Sequence, residues 1–454
     1  MKLTFYGATE EVTGSCLLLD TGEFKLLIDC GMIQGERMCS AEVHKPLIFD
    51  PTILDAVVVT HAHFDHVGRL PMLYKQGYTG KIFSTEPTKA VANIILDDSL
   101  KIMRENAERC EDAVPYDPDD KEQAMNHWTG VGYHTELKLS PLLSVMFHDA
   151  GHILGSSYIT VDVRSSPDSP ATRLVFSGDL GNEKIPILPE TEPLHAANYA
   201  ICESTYGDKL HEPPAARRVK LLEYVKRVIG RGGTLMVPTF SVERTQELLF
   251  ELDQIFERGE APQVPVYLDS PLAIRATSLY RHYSSYLNFD HPAVSKDGDF
   301  FSFPSLRETL TVPESKLINE DNRPKIIVAG NGMLSGGRIM HHALQHLSDP
   351  KSALMIIGYQ ARGTLGRRLL DGAKSVKIFG NNIAVKAEIL TIQAFSAHAD
   401  QDKLTRWLSA PAVPVQKIYL VHGDPETKLK FKEHLNKTLS AEILIPKMGE
   451  SFEL

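Results

Sequence analysis

The run Thr60-His61-Ala62-His63-Phe64-Asp65-His66-Val67-Gly68-Arg69-Leu70, entered from the β-branched Val57-Val58-Val59, constrains this chain more than any other stretch. A strand alternates its side chains, so His61 and His63, two apart at a strand's end, are expected to point the same way, with Asp65 and His66 on the turn beyond. Four metal-ligating groups then converge on one small volume. With 18 His and 58 acidic residues among 454, three His and one acid at these offsets arise by chance on the order of 0.004 times per chain. Imidazole and carboxylate donors without thiolates suit zinc or another borderline divalent ion, and an acid among the histidines favours a catalytic site over a structural one.

The length exceeds what one hydrophobic core usually supports, so two domains are expected. No segment approaches about 18 uninterrupted apolar residues, and the start, Met1 to Gly7, reads as a strand and not as a leader. A cytoplasmic protein without membrane contact is expected. Cys16, Cys30, Cys39, Cys110 and Cys202 are odd in number and lack CxxC spacing, which argues for reduced, structural thiols. The net charge of −10 speaks weakly against a nucleic-acid partner. Divalent cations concentrated in one site would soften that objection.

Along the chain, runs at Leu3–Phe5, Cys16–Leu19 and Phe24–Asp29 read as a β-meander that ends on Asp29, either a turn cap or an acid that orients a ligand histidine. A helix is expected from about Pro87 to Arg109, and an exposed connection over Glu111–Glu122. His152 then stands in a glycine-flanked loop, with His148 as a neighbour or core polar group. Further strand ends deliver Asp179, within Ser177-Gly178-Asp179, and Glu203. From about residue 209, strands and helices alternate, implying parallel pairing in a separate α/β module, with Ser241 as a helix cap at Val242–Arg258. In it, Gly330 to Arg338 joins a strand to a helix and is either a tight turn or an anion cradle. Phe240 reads as a core aromatic or a base-stacking ring, and Arg362, Arg367, Arg368, Lys374 and Lys377 as a solvated face or a phosphate track. The strand reading returns around Ile389–Phe395, and His398 and His422 follow at later strand ends. The last segment therefore folds back onto the first domain, with the module as an insertion.

His61-Ala62-His63-Phe64-Asp65-His66, Ala150-Gly151-His152, Ser177-Gly178-Asp179, Glu203 to Gly207, Ser396-Ala397-His398 and Val421-His422-Gly423 together resemble the ordered motifs of metallo-β-lactamase-fold nucleases with a β-CASP insertion, of the compact RNA-processing type similar to the messenger-RNA 3′-end endonuclease. The resemblance covers nearly the whole chain, including Pro238-Thr239-Phe240 and Leu268 to Pro271. It implies an αββα sandwich over residues 1–208 and 389–454, interrupted by an inserted α/β β-CASP domain over 209–388. It also implies two zinc ions, one held by His61, His63 and His152 and the other by Asp65, His66 and His422, bridged by Asp179, with Asp29 behind them. Asp65, Glu203 and His398 would be catalytic, Glu203 orienting His398 as general acid; Ser335, Gly336, Gly337 and Arg338 would grip RNA phosphates. Within the family a histidine at the position of His422 goes with RNA cleavage, and family analogy alone suggests a homodimer.

The expected activity is hydrolysis of single-stranded RNA, internally or from the 5′ end. Two cations close together neutralise a phosphodiester's charge and lower the pKa of a shared water to about 7. Two other readings compete. A small-molecule hydrolase acting on an ester, thioester or lactam shares the His-x-His-x-Asp-His turn, but not the large insertion or the Glu203/His398 pair; a silent scaffold would have lost ligands, and here all are filled.

Overall fold

The computed structural model describes residues 1–33, 46–110, 113–288, 301–360 and 363–454. Cys39, the side chain of Cys110, Arg362 and most of the irregular stretch 290–304 lie outside them. The chain divides into two compact units, one of Met1–Glu183, Pro189–Leu210 and His398–Leu454, the other of Lys184–Leu188 and His211–Ala397.

In the first unit two seven-stranded sheets face each other. One runs in the order Ser451–Glu453, Lys2–Phe5, Leu17–Asp20, Lys25–Ile28, Ala56–Val58, Lys81–Thr85, Trp128–Val131. The other runs Glu442–Leu444, Lys417–Val421, Tyr199–Glu203, Thr172–Phe176, Ser157–Val163, Leu143–Asp149, Leu137–Ser140. Period-2 alternation explains the layering. Leu3, Leu19, Leu26 and Val58 from one sheet meet Val145, Phe147, Ile159, Val161 and Phe176 from the other in one buried cluster. The alternate residues are buried too: Tyr158, Val175, Ala200 and Cys202 pack on Leu404, Trp407, Phe431 and Leu435 of helices Gln401–Ser409 and Pro425–Thr438. Strands apolar on both faces are what a sheet covered by helices requires. The αββα sandwich is therefore present.

The second unit is built on a parallel six-stranded sheet in the order Leu306–Glu308, Val266–Asp269, Lys325–Ala329, Thr234–Pro238, Ala353–Ile356, Glu388–Thr391. Met236, Ile327 and Leu354 bury themselves against Ile339, Ala343 and Leu347 of the helix that follows the glycine-rich loop. Three sequence expectations need correction. The strand expected to open the return segment at 389 is the edge strand of this sheet, because Glu388–Thr391 pairs in parallel with Ala353–Ile356. The connection over Glu111–Glu122 runs into a helix, Pro118–Asn126, which Asp117 caps through a capping box with Asp120. Ser241 does not cap its helix. That helix starts at Arg244 after Glu243, and the Ser241 hydroxyl instead lies 3.3 Å from that of Ser270.

Candidate metal centre

Five parallel strands of the first unit, Lys25–Ile28, Ala56–Val58, Thr172–Phe176, Tyr199–Glu203 and Lys417–Val421, carry a polar residue at or just beyond their C-terminal ends. Contrary to the sequence expectation, His61 and His63 do not sit on a strand. The strand stops at Val58, and Asp65 and His66 sit on the one-turn helix Phe64–Val67. The chain leaves the sheet because its hydrogen bonds are taken elsewhere: the Thr60 amide donates to Oδ1 of Asp29, just past the neighbouring strand (2.8 Å), and the Thr60 carbonyl accepts from the Ser157 amide of the facing sheet (2.8 Å). Two glycines make the close approach possible. A Cβ on Gly178, at φ +52°, would stand 2.7 Å from that of Thr60, and one on Gly31 would stand 1.5 Å from the Asp65 carbonyl oxygen.

The side chains fall into two groups. His61, His63, His152 and Asp179 offer ligand atoms within 4.8 Å of one another, and so do Asp65, His66 and His422. In the first, His63 Nδ1 lies 3.1 Å from His61 Nε2 and 3.2 Å from His152 Nε2. In the second, His422 Nε2 lies 3.3 Å from His66 Nε2 and 3.2 Å from Asp65 Oδ2. Asp179 serves both. Its Oδ2 faces His61 Nε2 at 3.5 Å and His152 Nε2 at 3.6 Å, while Oδ1 faces His66 Nε2 at 3.5 Å and His422 Nδ1 at 3.7 Å. No hydrogen bond of ordinary length reaches that buried Oδ1. A buried carboxylate oxygen without donors, ringed by imidazole nitrogens, fits a divalent cation on either side.

Within the first group the electrostatics agree with a ligand set. Burial, then the neighbouring His66, holds His61 well below the ordinary imidazole range, and burial brings His63 down to about 4, so both rings are neutral donors at pH 7. In the second, burial opposes protonation, but Asp179 and Asp29 outweigh it at His66 and raise it well above the ordinary range, and Asp179 and Asp65 raise His422. Burial disfavours the Asp179 anion, but His422, His66, His61 and His398 outweigh it and keep its carboxyl well below the usual range.

Asp29 accepts from His66 Nδ1 at 2.8 Å and from the Thr60 hydroxyl at 2.9 Å, which turns the His66 Nε2 lone pair inward. Glu203 accepts from the Leu180 amide at 2.7 Å, and its oxygens stand 3.3 and 3.4 Å from His398 Nδ1. His398 is held there by backbone pairing, a bridge to Gly181 and a bond from the Ala399 amide to the Leu180 carbonyl. Two residues went without a role in the sequence. Thr60 links Asp29 to the rings of His61 and His66, and the Thr205 hydroxyl lies 3.2 Å from His422 Nδ1. Their adjacency to His61 and Glu203 was the available signal. His148 stands apart from both groups, stacked on Tyr158.

In the second unit, Ser335 and Gly337 are exposed and Gly336 half-buried. Arg338 turns inward instead: its guanidinium donates to Asp269 Oδ1 (2.7 Å) and to the carbonyls of Thr309 (2.9 Å) and Leu310 (2.7 Å). Expected as a phosphate contact, it is the counter-ion of a buried carboxylate. The half-buried Phe240 ring rests on Gly332 and Gly358.

Fold and site together define a metallo-β-lactamase-type metallo-hydrolase. Residues 18–168 match the metallo-beta-lactamase superfamily domain, 245–369 the Beta-Casp domain, and 382–446 the Zn-dependent metallo-hydrolase RNA specificity domain. The chain is 38% identical over 452 residues to ribonuclease TTHA0252 of Thermus thermophilus, covering 99% of both chains. It is 32% identical over 451 residues to an RNase J-like protein of Methanocaldococcus jannaschii, covering 98% of each. Over 460 residues it is 32% identical to that organism's transcription termination factor FttA, covering 98% of this chain and 70% of that one. A solved structure of a protein of unknown function from Enterococcus faecalis shares the fold, with TM-score 0.58 and 12% identity over 100% of this chain and 99% of the other. The chain belongs to the β-CASP family of metallo-β-lactamase-fold proteins. Among the described residues no helix is long and apolar enough to cross a membrane.

Proposed function

We propose that this chain is a zinc-dependent ribonuclease that hydrolyses phosphodiester bonds of single-stranded RNA in cytoplasmic RNA processing or decay. The observation that carries the reading is Asp179, whose two oxygens each face a separate group of imidazoles. His61, His63 and His152 would hold one zinc, Asp65, His66 and His422 a second, with Asp179 between them. When bound, the pair would neutralise phosphate charge and make a water nucleophilic at neutral pH. The rest falls to the chain itself. Asp29 fixes the tautomer of His66. Glu203 orients His398 through Nδ1, leaving Nε2 to hand a proton to the departing ribose oxygen. The backbone amides of Ser335, Gly336 and Gly337 would hold backbone phosphates, which gives little sequence readout.

RNA as substrate is supported by the RNA specificity domain over 382–446 and by relatives named as ribonucleases. Incubation of the zinc-loaded protein with 5′-labelled RNA, the matching DNA and a thioester panel tests it: RNA is cleaved, and product lengths separate internal cuts from 5′ trimming. Thioester turnover with intact RNA would overturn it. A homodimer belongs to the same proposal and is read by sedimentation.

A further inference from the structure

A second group of ligating side chains lies in the first unit, apart from the seven. His134, Glu192 and His148, the last on strand Leu143–Asp149, each bring one ligand atom within 4.8 Å of the others. His134 Nε2 stands 3.0 and 2.9 Å from the two oxygens of Glu192, and Glu192 Oε2 stands 3.7 Å from His148 Nδ1. The His148 ring is fixed. It stacks on Tyr158, with centroids 4.6 Å apart and planes 8° from parallel, and its Nε2 lies 3.2 Å from the Thr160 hydroxyl. Nδ1 is therefore the nitrogen left for Glu192, at a distance too long for a hydrogen bond.

Ligands that share a tetrahedral ion at about 2.0–2.2 Å stand roughly 3.3–3.5 Å apart. The separations from Glu192 to the two rings, 2.9 to 3.7 Å, bracket that value, and the two imidazoles offer ligand atoms within 4.8 Å of each other. Two imidazoles and a carboxylate without thiolate form the borderline donor set that suits zinc. The side chain of His134 is 60% exposed, so water can complete the coordination. Burial pushes the Glu192 carboxyl up, but the two imidazoles and the Asp149 amide outweigh it and bring it to about 2, which makes it an anion at neutral pH.

The cluster also grips the loop that ends in His152. Glu192 Oε1 accepts from the Asp149 amide (3.0 Å), the Glu192 amide donates to the Asp149 carbonyl (3.0 Å), and the Thr191 hydroxyl donates to the Ala150 carbonyl (2.8 Å). A Cβ on Gly151 would stand 2.7 Å from the Pro189 carbonyl oxygen. Residues 189–192 are thus fastened to 149–151 directly before the ligand histidine.

We propose that His134, His148 and Glu192 form a separate zinc-class cation site, whose ion ties the His134 turn to residues 189–192 and braces the loop that presents His152. The site stands independently of the ribonuclease reading. The test is zinc content of the full-length protein by inductively coupled plasma mass spectrometry after equilibration in buffered free zinc, for wild type, His134→Ala and Glu192→Gln. The exposed His134 makes its variant safe to fold, and Glu192→Gln keeps an acceptor for the Asp149 amide. Wild type is expected to hold one zinc per chain more than either variant, however many ions the other site holds. Equal zinc in wild type and His134→Ala would overturn the site. Hydrogen exchange reads the brace: zinc should slow the amides of 150–152 in wild type and not in His134→Ala, and equal rates in the two would overturn the bracing role.

Discussion

Asp179 and Asp269 are both buried carboxylates at or just past a strand end with histidines beside them, yet they are opposites. Asp269 is closed. Its Oδ1 accepts from the Thr309 hydroxyl (2.6 Å) and Arg338 (2.7 Å), and its Oδ2 from the Ser315 hydroxyl (2.6 Å) and His342 (2.8 Å). Burial opposes that anion, but these donors outweigh it and bring the carboxyl to about 2. Around Asp179 the nearest side-chain nitrogens stand at 3.5 to 3.8 Å, and one oxygen has no donor. A carboxylate with hydrogen-bond donors on both oxygens is structure; one with a buried oxygen that no donor reaches has room for a cation from outside.

The largest expected effect breaks the open site. Asp179→Ala should lose bound zinc and slow RNA cleavage by ~10³-fold or more, since the metal supplies several kcal/mol of transition-state stabilisation. Retention of the full zinc complement, measured by mass spectrometry, would show that Asp179 is not a ligand. Next, His398→Ala should reduce turnover by roughly 10²–10⁴-fold with zinc content intact, the range for a lost general acid. Unchanged turnover would remove His398 from the chemistry.

The closed site should answer in stability instead. Arg338→Ala leaves Asp269 buried with only His342 and two hydroxyls, a loss of about 3 kcal/mol on the scale of broken buried ion pairs. Zinc content should not change. The measurement is a denaturant midpoint beside RNA affinity: unaltered stability with weakened RNA binding would return Arg338 to the phosphate role that its place in the glycine-rich loop suggests.

That contrast also marks what the sequence could say. His61 to His66, Asp179 and His422 were legible because metal chemistry restricts residue type and because each follows a recognisable strand. The individual strands were legible from apolar periodicity, and their αββα arrangement only through the motif resemblance. Arg338 was not, since its partners lie 69, 29 and 28 positions away and no local pattern records which way a guanidinium turns. The edge strand Glu388–Thr391 reads from sequence as part of the wrong unit for the same reason: a strand is visible locally, its pairing is not. His134 and Glu192 escape a sequence reading because isolated polar residues acquire meaning only from the ring stacking and backbone that bring them together.

A third buried carboxylate completes the series and gives the smallest effect. Glu251, on the helix Arg244–Glu257, is 6% exposed, and burial raises its carboxyl to about 7 although Arg217 pulls the other way. Neither cation nor donors fully compensate it, so it keeps its proton where Asp179 and Asp269 do not. Because the folded pKa lies above the ordinary 4.5, the native state binds more protons between those values, and the stability this group contributes below about pH 4.5 is lost as pH rises through 7. Glu251→Gln removes that dependence. Relative to wild type, the variant should gain about 1–3 kcal/mol between pH 5 and pH 8, because each tenfold change in proton affinity on folding is worth about 1.4 kcal/mol. A parallel offset at both pH values in urea unfolding would mean that Glu251 ionises freely in the folded protein, and so that burial alone does not hold a carboxylate neutral in this unit.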